Sequence, residues 1–564
     1  MRIIVSKYNY IRILLNVLVL TFFSTAALAG ETTPEAAGSW LAITPPILAI
    51  VFALALKRVI PALFMGIWLG TWIIHDFGFD GLWLGLLDTF QVYVLQALAN
   101  PDRAAIVLFS LMIGGMVGII SRNGGMQGVV NWIVKWADSA RHASLATAWM
   151  GIAIFFDDYT NTLVVGNTMR PVTDAKRISR AKLAYIVDST AAPVACIALV
   201  STWIGYEVGL IGDSIDKISS LDAEPYLVFL NTIPYSFYPL LAIIFVFMVA
   251  YSGRDFGPML AAERKARKHG VIADEHLADD TNDAKPIQPV SGKPQRALNA
   301  VIPILVLVFS VMGGLYVTGK ANVEIANPGL QDIIGAADSI KSLLWGSFLG
   351  MLSATILSLA QRILSLDQTI NAWYQGLRSM LMALIILLLA WSLSDVAEIL
   401  RTADFLVDLL GESLPPYLLP VLVFLLAAAT AFATGSSWGA MGILVPLVIP
   451  LSWAVLEAQD MASAEHMHIL YSAISAVLAG SVWGDHCSPI SDTTILSSLA
   501  SGCDHIEHVR TQLPYAIVVA LVALIAGTLP VAMGMPWWLG LALGIILLWL
   551  ILRFFGGTSE AGTF

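Results

Sequence analysis

Between Trp40 and Leu552 the chain returns repeatedly to apolar runs of about 17 to 25 residues that hold almost no charge. At 1.5 Å per residue such a run matches a hydrocarbon layer roughly 30 Å thick. Lipid offers no partner to a backbone N–H or C=O, so each run must satisfy its own amides and specifies a helix. The predicted fold class is therefore all-α, a polytopic membrane protein with about 12–14 membrane segments once broken ones are counted. Composition agrees: 12% of the 564 residues are charged and mean hydropathy is +0.78. The net charge of −10 argues against nucleic-acid partners. The three cysteines, Cys196, Cys487 and Cys503, lie in or beside predicted membrane segments and suggest no disulfide framework.

Five regions follow. Residues 1–29 read as a signal peptide, with basic Arg2, Lys7 and Arg12, an apolar stretch from Ile13 to Ser24 and a small-x-small site at Ala27–Ala29. Residues 30–251 form a first membrane half, 252–297 a hydrophilic, partly disordered cytoplasmic linker, 298–555 a second membrane half and 556–564 a tail. Lys57 with Arg58, and Lys176, Arg177, Arg180 and Lys182, mark cytoplasmic loops by the positive-inside rule. The acidic stretch from Gly205 to Glu224 reads as an external loop, Asn231 to Tyr251 as a span, and Asp395 as a solvated acid near an external helix end. The GGMVG run at 114–118 suits close helix contact.

Polar residues interrupt this pattern at two places. GDHCSPISDTTILSS, Gly484 to Ser498, follows a long apolar stretch yet carries Asp485, His486, Ser488, Ser491, Asp492, Thr493 and Thr494. Pro489 lacks an N–H and disfavours helix at Ser488, so a break is predicted there, with helix resuming from about Ile490. In the first half, Asp157, Asp158 and Asn161 fall near the middle of an otherwise membrane-like segment. Intramembrane carboxylates persist where they face a cavity, an ion or a proton path. Hydroxyls and the freed carbonyls of a broken helix are ligands for a hard cation. A partly buried carboxylate also holds its proton more tightly, so proton and sodium become alternative occupants of one site. The candidate Na+/H+ site is thus Asp485, Asp492, Asp157, Asp158, Asn161, Ser491, Thr493 and Thr494. Asp188, Thr434, Ser436, Ser437, His486 and Ser488 are further candidates, His486 either as a pH gate or as a hydrogen-bonded structural residue.

The segment DDYTN followed by DSTAAPV parallels TGSSWG followed by DHCSPIS, which suggests two repeats, probably inverted in the membrane, with a discontinuous helix in each. Two other classes fit some of these residues. A metal-dependent membrane enzyme would use Asp485, His486, Cys487, Cys503, Asp504, His505 and His508 as ligands, although no HExxH or paired CxxC pattern is present. A sodium-coupled carrier of an organic anion or amino acid would need a basic group in the bundle, and Arg170 and Arg378 lie near enough to a membrane segment to be considered.

GDHCSPISDTTILSS, with GCDHIEHVRTQLPYA at 502–516, FATGSSWGAMGILVP at 432–446 and IFFDDYTNTLVVGNTMRPVTD at 154–174, resembles the NhaC-type sodium/proton antiporter family. The resemblance covers most of the membrane part and implies that DDYTN is the second acidic motif. It implies an alternating-access secondary transporter in a bacterial inner membrane that exports sodium in exchange for protons. Such a protein is no enzyme and needs no cofactor; its partners are sodium, the proton and the bilayer, and a homodimer is compatible with it. The motif is less specific for the ion, because relatives of this family are understood to carry organic anions or amino acids with sodium.

Overall fold

A computed structural model of the chain describes residues 38–558, apart from Lys57, Asp222, 271–286, 324–327, 330–332, 334–335, 403–404, 406–413 and Ile490. The expected signal peptide lies outside the described residues. The first half comprises helices α1 (Thr44–Leu56), α2 (Val59–Ile74), α3 (Phe79–Ala99), α4 (Pro101–Arg122), α5 (Gly125–Ile133), α6 (Ala140–Ala153) and α7 (Asp158–Ala175). It continues with α8 (Arg180–Ser189), α9 (Ala192–Ala195), α10 (Ile204–Ile215), α11 (Pro225–Thr232) and α12 (Phe237–Ser252). After α13 (Gly257–His269) come α14 (Leu298–Asn322), α15 (Ser339–Ala360), α16 (Leu366–Ile399), α17 (Leu419–Thr434) and α18 (Ser437–Ala458). The chain ends with α19 (Met467–Cys487), α20 (Asp492–Ser501), α21 (His505–Ala532) and α22 (Trp537–Phe555).

Among the described residues ten helices are long and apolar enough to cross a membrane. An eleventh span forms if Pro225–Tyr235 and Phe237–Ser252, bent by 51°, are taken together. Trp40–Ala53 and Val59–Ile74 are shorter apolar helices. The span expected from Asn231 to Tyr251 is therefore broken, with Pro234 and the following Ser236 at the bend.

Close approach of helices rests on small residues, because lipid tails supply no drive to separate apolar faces from solvent. Gly480 and Gly484 of α19 face α17, where an added Cβ would strike the carbonyl oxygens of Phe424 and Ala428. Gly114 and Gly118, from the GGMVG run, meet the backbone of α16 at Gly376 and Ala372 in the same way. Gly484→Ala is expected to destabilise the protein by about 1–3 kcal/mol, the usual effect of overpacking. A thermal melt in detergent that matches the parent protein would refute this.

Two expectations need correction. The region from Gly205 to Glu224 is not an open loop: α10 is a helix whose residues, Glu207 included, are almost all buried against α4, α16 and α18. It was hidden because twelve residues are too few for a span, and protein rather than lipid covers them. Asp395 is not simply solvated. Its carboxylate accepts from Arg103 of α4, at 2.8 Å from Nη1, and from Lys217 just past α10, at 3.0 Å. Arg103 also pairs with Asp213, and its guanidinium lies 5.5 Å from the Trp391 ring.

The start of the hydrophilic stretch after residue 252 is ordered and docked on the bundle. Arg254–Asp255 pairs with Gly557–Thr558 in a short antiparallel ribbon, and α13 docks on α8 and α21. There Lys182 of α8, 3% exposed, pairs with buried Asp255 at 2.8 Å and lies 3.9 Å from buried Glu263. Tyr515 donates to Asp255 at 2.8 Å, and the Ser179 N–H to Glu263 at 2.6 Å. Burial pushes the Glu263 carboxyl up from its ordinary value, a push that Lys182 only partly offsets. α16 starts just after Arg362, whose carbonyl accepts from Lys293, and ends past Asp395, so the Lys293–Arg362 contact and the Arg103–Asp395 cluster lie at opposite ends of that helix.

Candidate functional site

Among the described residues four helix breaks meet in the interior, one of them at Thr190–Ala191 between α8 and α9. Between α6 and α7, Asp157 is extended, with φ −158° and ψ 122°, and its side chain accepts from the Thr160 N–H at 2.9 Å. Between α17 and α18, Ser436 has φ −148° and ψ 115° and accepts from the Gly439 N–H at 3.2 Å. Gly435 supplies the left-handed turn there, at φ 68°, that ends α17. Between α19 and α20 the chain unwinds over Ser488 and Pro489, and helix resumes at Asp492, two residues later than the proline alone suggests. Ser491 caps α20. Each break leaves orphan carbonyls at one helix end and N–H groups at the other, so cationic and anionic groups are both favoured locally.

Asp485 lies in the last turn of α19 and is 3% exposed. Ser491 Oγ donates to its Oδ1 at 2.7 Å and Thr493 Oγ1 to its Oδ2 at 2.8 Å, while the two hydroxyl oxygens are 2.9 Å apart. Thr494 Oγ1 bridges the Asp485 carbonyl, at 3.2 Å, to Asp188 Oδ2, at 3.5 Å. Asp188, in the last turn of α8, also accepts from Ser497 at 3.1 Å and from Gln512 of α21 at 2.6 Å. Asp188 and Asp485 are close enough to interact electrostatically, as are Asp158 and Asp485. Asp492 opens α20, but its side chain lies outside the described residues.

His486 is buried with both ring nitrogens engaged: Nδ1 lies 2.7 Å from the Tyr238 hydroxyl and Nε2 2.9 Å from the Ser189 hydroxyl. His508 meets Gln512 at 2.7 Å and Ser498 at 2.8 Å, and His505 meets Ser498 at 3.0 Å. These histidines thus hold hydroxyls and amides, and among the described residues no group of three or more His, Cys, Asp or Glu is placed to hold a metal.

The first-half break joins the same interior. Asn161 donates to the carbonyls of Gly151, at 2.7 Å, Ile154, at 3.2 Å, and Thr190, at 2.9 Å, and so ties the ends of α6 and α8 together. Its Oδ1, the Asp158 Oδ1 and the Thr162 hydroxyl are buried acceptors with no hydrogen-bond partner among the described residues. Asp158 and Asn161 are three apart on one helical face. Asp157 accepts from Thr202 at 3.3 Å, and the next residue, Trp203, lies against Trp438 with ring centres 5.3 Å apart. Trp438 follows Ser437, and the Tyr206 hydroxyl donates to its carbonyl. Ser488 donates to the Phe432 carbonyl at 2.7 Å, two residues before Thr434, whose hydroxyl bonds back to Thr430 at 2.8 Å.

Asp485, Ser488, Ser491, Thr493, Thr494, Asp188 and His486 therefore form one cluster. Asp157, Asp158 and Asn161 adjoin it through Asp158. Thr434, Ser436 and Ser437 adjoin it through Ser488 and line the aromatic side. The sequence pattern had not singled out Ser189, Tyr238, Thr202, Ser497 or Gln512. Gln512 and Ser497 lie inside the quoted motif stretches, which was a usable signal; Tyr238 sits in an ordinary apolar helix and gave none.

The profile of the Na+/H+ antiporter family matches residues 194–529, which include Asp485, the cap of α20 and Gln512. The chain belongs to the Na+/H+ antiporter family. It is 35% identical over 481 residues to an uncharacterised protein of Haemophilus influenzae, covering 85% of this chain and 88% of that one. It is also 33% identical over 120 residues to an uncharacterised Na+/H+ antiporter of the same organism, 21% of this chain and 23% of the relative. In fold it is similar to MtrF of Neisseria gonorrhoeae, with a TM-score of 0.52 at 13% identity over 95% of this chain and 98% of the other. This antiporter-family member is thus a helical, multi-pass membrane transporter with discontinuous helices at its centre.

Proposed function

We infer that the antiporter exchanges sodium for protons by alternating access, expelling sodium as protons enter. The observation that carries this is Asp485, a carboxylate buried at a helix break with the hydroxyls of Ser491 and Thr493 on its two oxygens. A hydroxyl that donates to an ionised carboxylate can rotate and present lone pairs to a cation, so the same three groups suit sodium or a proton but not both. The unpartnered acceptors Asp158 Oδ1 and Asn161 Oδ1 add oxygen ligands from the other half. The matching backbone at Asp157 and Ser436 supports two related halves, each with a break at the centre. The basic end carrying Lys176 to Lys182 is the cytoplasmic one by the positive-inside rule, and a bacterial inner membrane suits that orientation.

The second reading, sodium-coupled carriage of an organic anion, requires a basic group at the site. The buried cations Arg103 and Lys182 are instead committed to carboxylates, Arg378 is exposed, and Arg170 is half-buried against Gly502, past the end of α20. Inverted vesicles from an antiporter-deficient host, energised to an acid interior, separate the two. Sodium alone, against potassium and choline, is expected to dissipate the pH gradient. A gradient that collapses only when sodium is added with a dicarboxylate or amino acid would replace the exchange reading with the second one.

A further inference from the structure

Glu207 is a buried carboxylate used neither by the exchange site nor, like Asp255 and Glu263, by a buried cation. It lies in the first turn of α10, is 1% exposed, and neither of its oxygens has a hydrogen-bond partner among the described residues. Its polar neighbour is the thiol of Cys196, itself buried. An ionised carboxylate with no counter-charge and only a weak thiol donor beside it is costly to hold in this closed arrangement, so the resting group is the neutral acid, which ionises only when an opening admits water or charge to it.

The position of that acid along α10 is informative. One end of the segment is tied to the exchange site: Thr202 donates to Asp157 at 3.3 Å, and Trp203 and Tyr206 pack on Trp438 at the break before α18. The other end is tied to the acidic face, where Asp213 pairs with Arg103 and lies 3.1 Å from Lys217. Glu207 is five residues from Thr202 and six from Asp213, roughly 8–9 Å along the axis from each. Among the described residues, Asp102 on α4 and Asp367, Arg378 and Glu398 on α16 are exposed, and the other charged groups on the elements around α10 are engaged elsewhere. Arg103 on α4 and Asp395 on α16 pair with each other, Glu457 on α18 holds Ser220 and Trp453, and the Tyr226 hydroxyl of α11 donates to the Leu199 carbonyl. None of these neutralises Glu207.

We propose that Glu207 is a second proton-binding site, a relay that carries protons between the acidic face and the Asp157–Asp158 pair. The step is a plain acid–base cycle: the carboxylate takes a proton when a path opens toward the acidic face and releases it toward the Asp157 side, with no other bond changed. The relay role rests on the sodium/proton exchange inferred above; the proton occupancy does not.

Both are testable on the purified full-length protein. The infrared difference between parent and Glu207→Gln at neutral pH is expected to contain the carbonyl band of a protonated carboxylic acid. Its absence, meaning an ionised Glu207, overturns the proposal whatever the protein transports. In proteoliposomes Glu207→Gln is expected to slow maximal sodium-driven proton flux by about tenfold or more, with half-saturating sodium unchanged and Glu207→Asp recovering much of the flux. Flux equal to the parent's would sink the relay, and a shifted sodium dependence would place Glu207 in the cation site instead. Gln has the shape of the neutral acid and should fold; if it does not, Glu207→Asp supplies the infrared comparison through a displaced band. A parent protein that shows no sodium-driven flux refutes the exchange and the relay with it, leaving the infrared result to decide whether Glu207 holds a proton.

Discussion

Asp485→Asn is expected to abolish sodium-dependent proton flux while leaving the folded protein intact. Asn is nearly isosteric with the carboxylate, and the hydroxyls of Ser491 and Thr493 can each rotate to accept from its amide or donate to its oxygen. What disappears is the negative charge. A cation held in a buried site without its counter-charge loses on the order of 3–5 kcal/mol, which is a fall of roughly 10² to 4 × 10³-fold in sodium affinity. The proton site vanishes as well, because an amide does not titrate. Reconstituted into liposomes, the variant should therefore leave an imposed pH gradient untouched at any sodium concentration, and should show no sodium-dependent protection against thermal unfolding. A variant that still exchanges sodium for protons at the parent rate would remove Asp485 from the pathway.

Lys182→Met carries the largest expected loss of stability. It leaves Asp255 and Glu263, both fully buried, facing each other without the ammonium between them. Arg267, 3.9 Å from Glu263, compensates in part. Removing one partner of a buried ion pair destabilises by about 3–5 kcal/mol, because the remaining charge stays desolvated. Thermal aggregation in detergent should begin well below the parent's midpoint, and adding Asp255→Asn to the variant should recover part of the loss. A single variant that melts with the parent would mean that the α8–α13 contact holds nothing together.

The class of fold was legible because membrane helices announce themselves over a whole run of residues, and lipid leaves the backbone no alternative. Asp485 and its break were legible for a similar reason, since a proline and two carboxylates in an apolar chain have few explanations. What failed was whatever depended on distant partners. Asp395 looked solvated because Arg103, which holds it, lies 292 residues earlier. His486 draws its two hydroxyls from Ser189 and Tyr238, 297 and 248 residues away. Asn161 could be read either as a neutral ligand or as a helix–helix hydrogen bond; its amide nitrogen serves three helix-end carbonyls, the second of these, and its oxygen remains to serve an ion. Glu207 escaped notice because hydropathy measures what faces lipid, and α10 faces other helices. In the hydrophilic stretch after Ser252, α13 is polar in composition, and what composition did not show is that its Glu263 faces inward onto Lys182.

One dimension of the fold bears on where this protein works well. α16 is an unbroken 34-residue helix, roughly 51 Å long. A hydrocarbon layer is roughly 30 Å thick, so this rod must lean or project into the headgroups. It touches α4 at Gly376 and grips Arg103 through Asp395, so a change in its lean moves both contacts at once. Activity should therefore follow acyl-chain length, with an optimum at one bilayer thickness and a decline in thinner and thicker membranes.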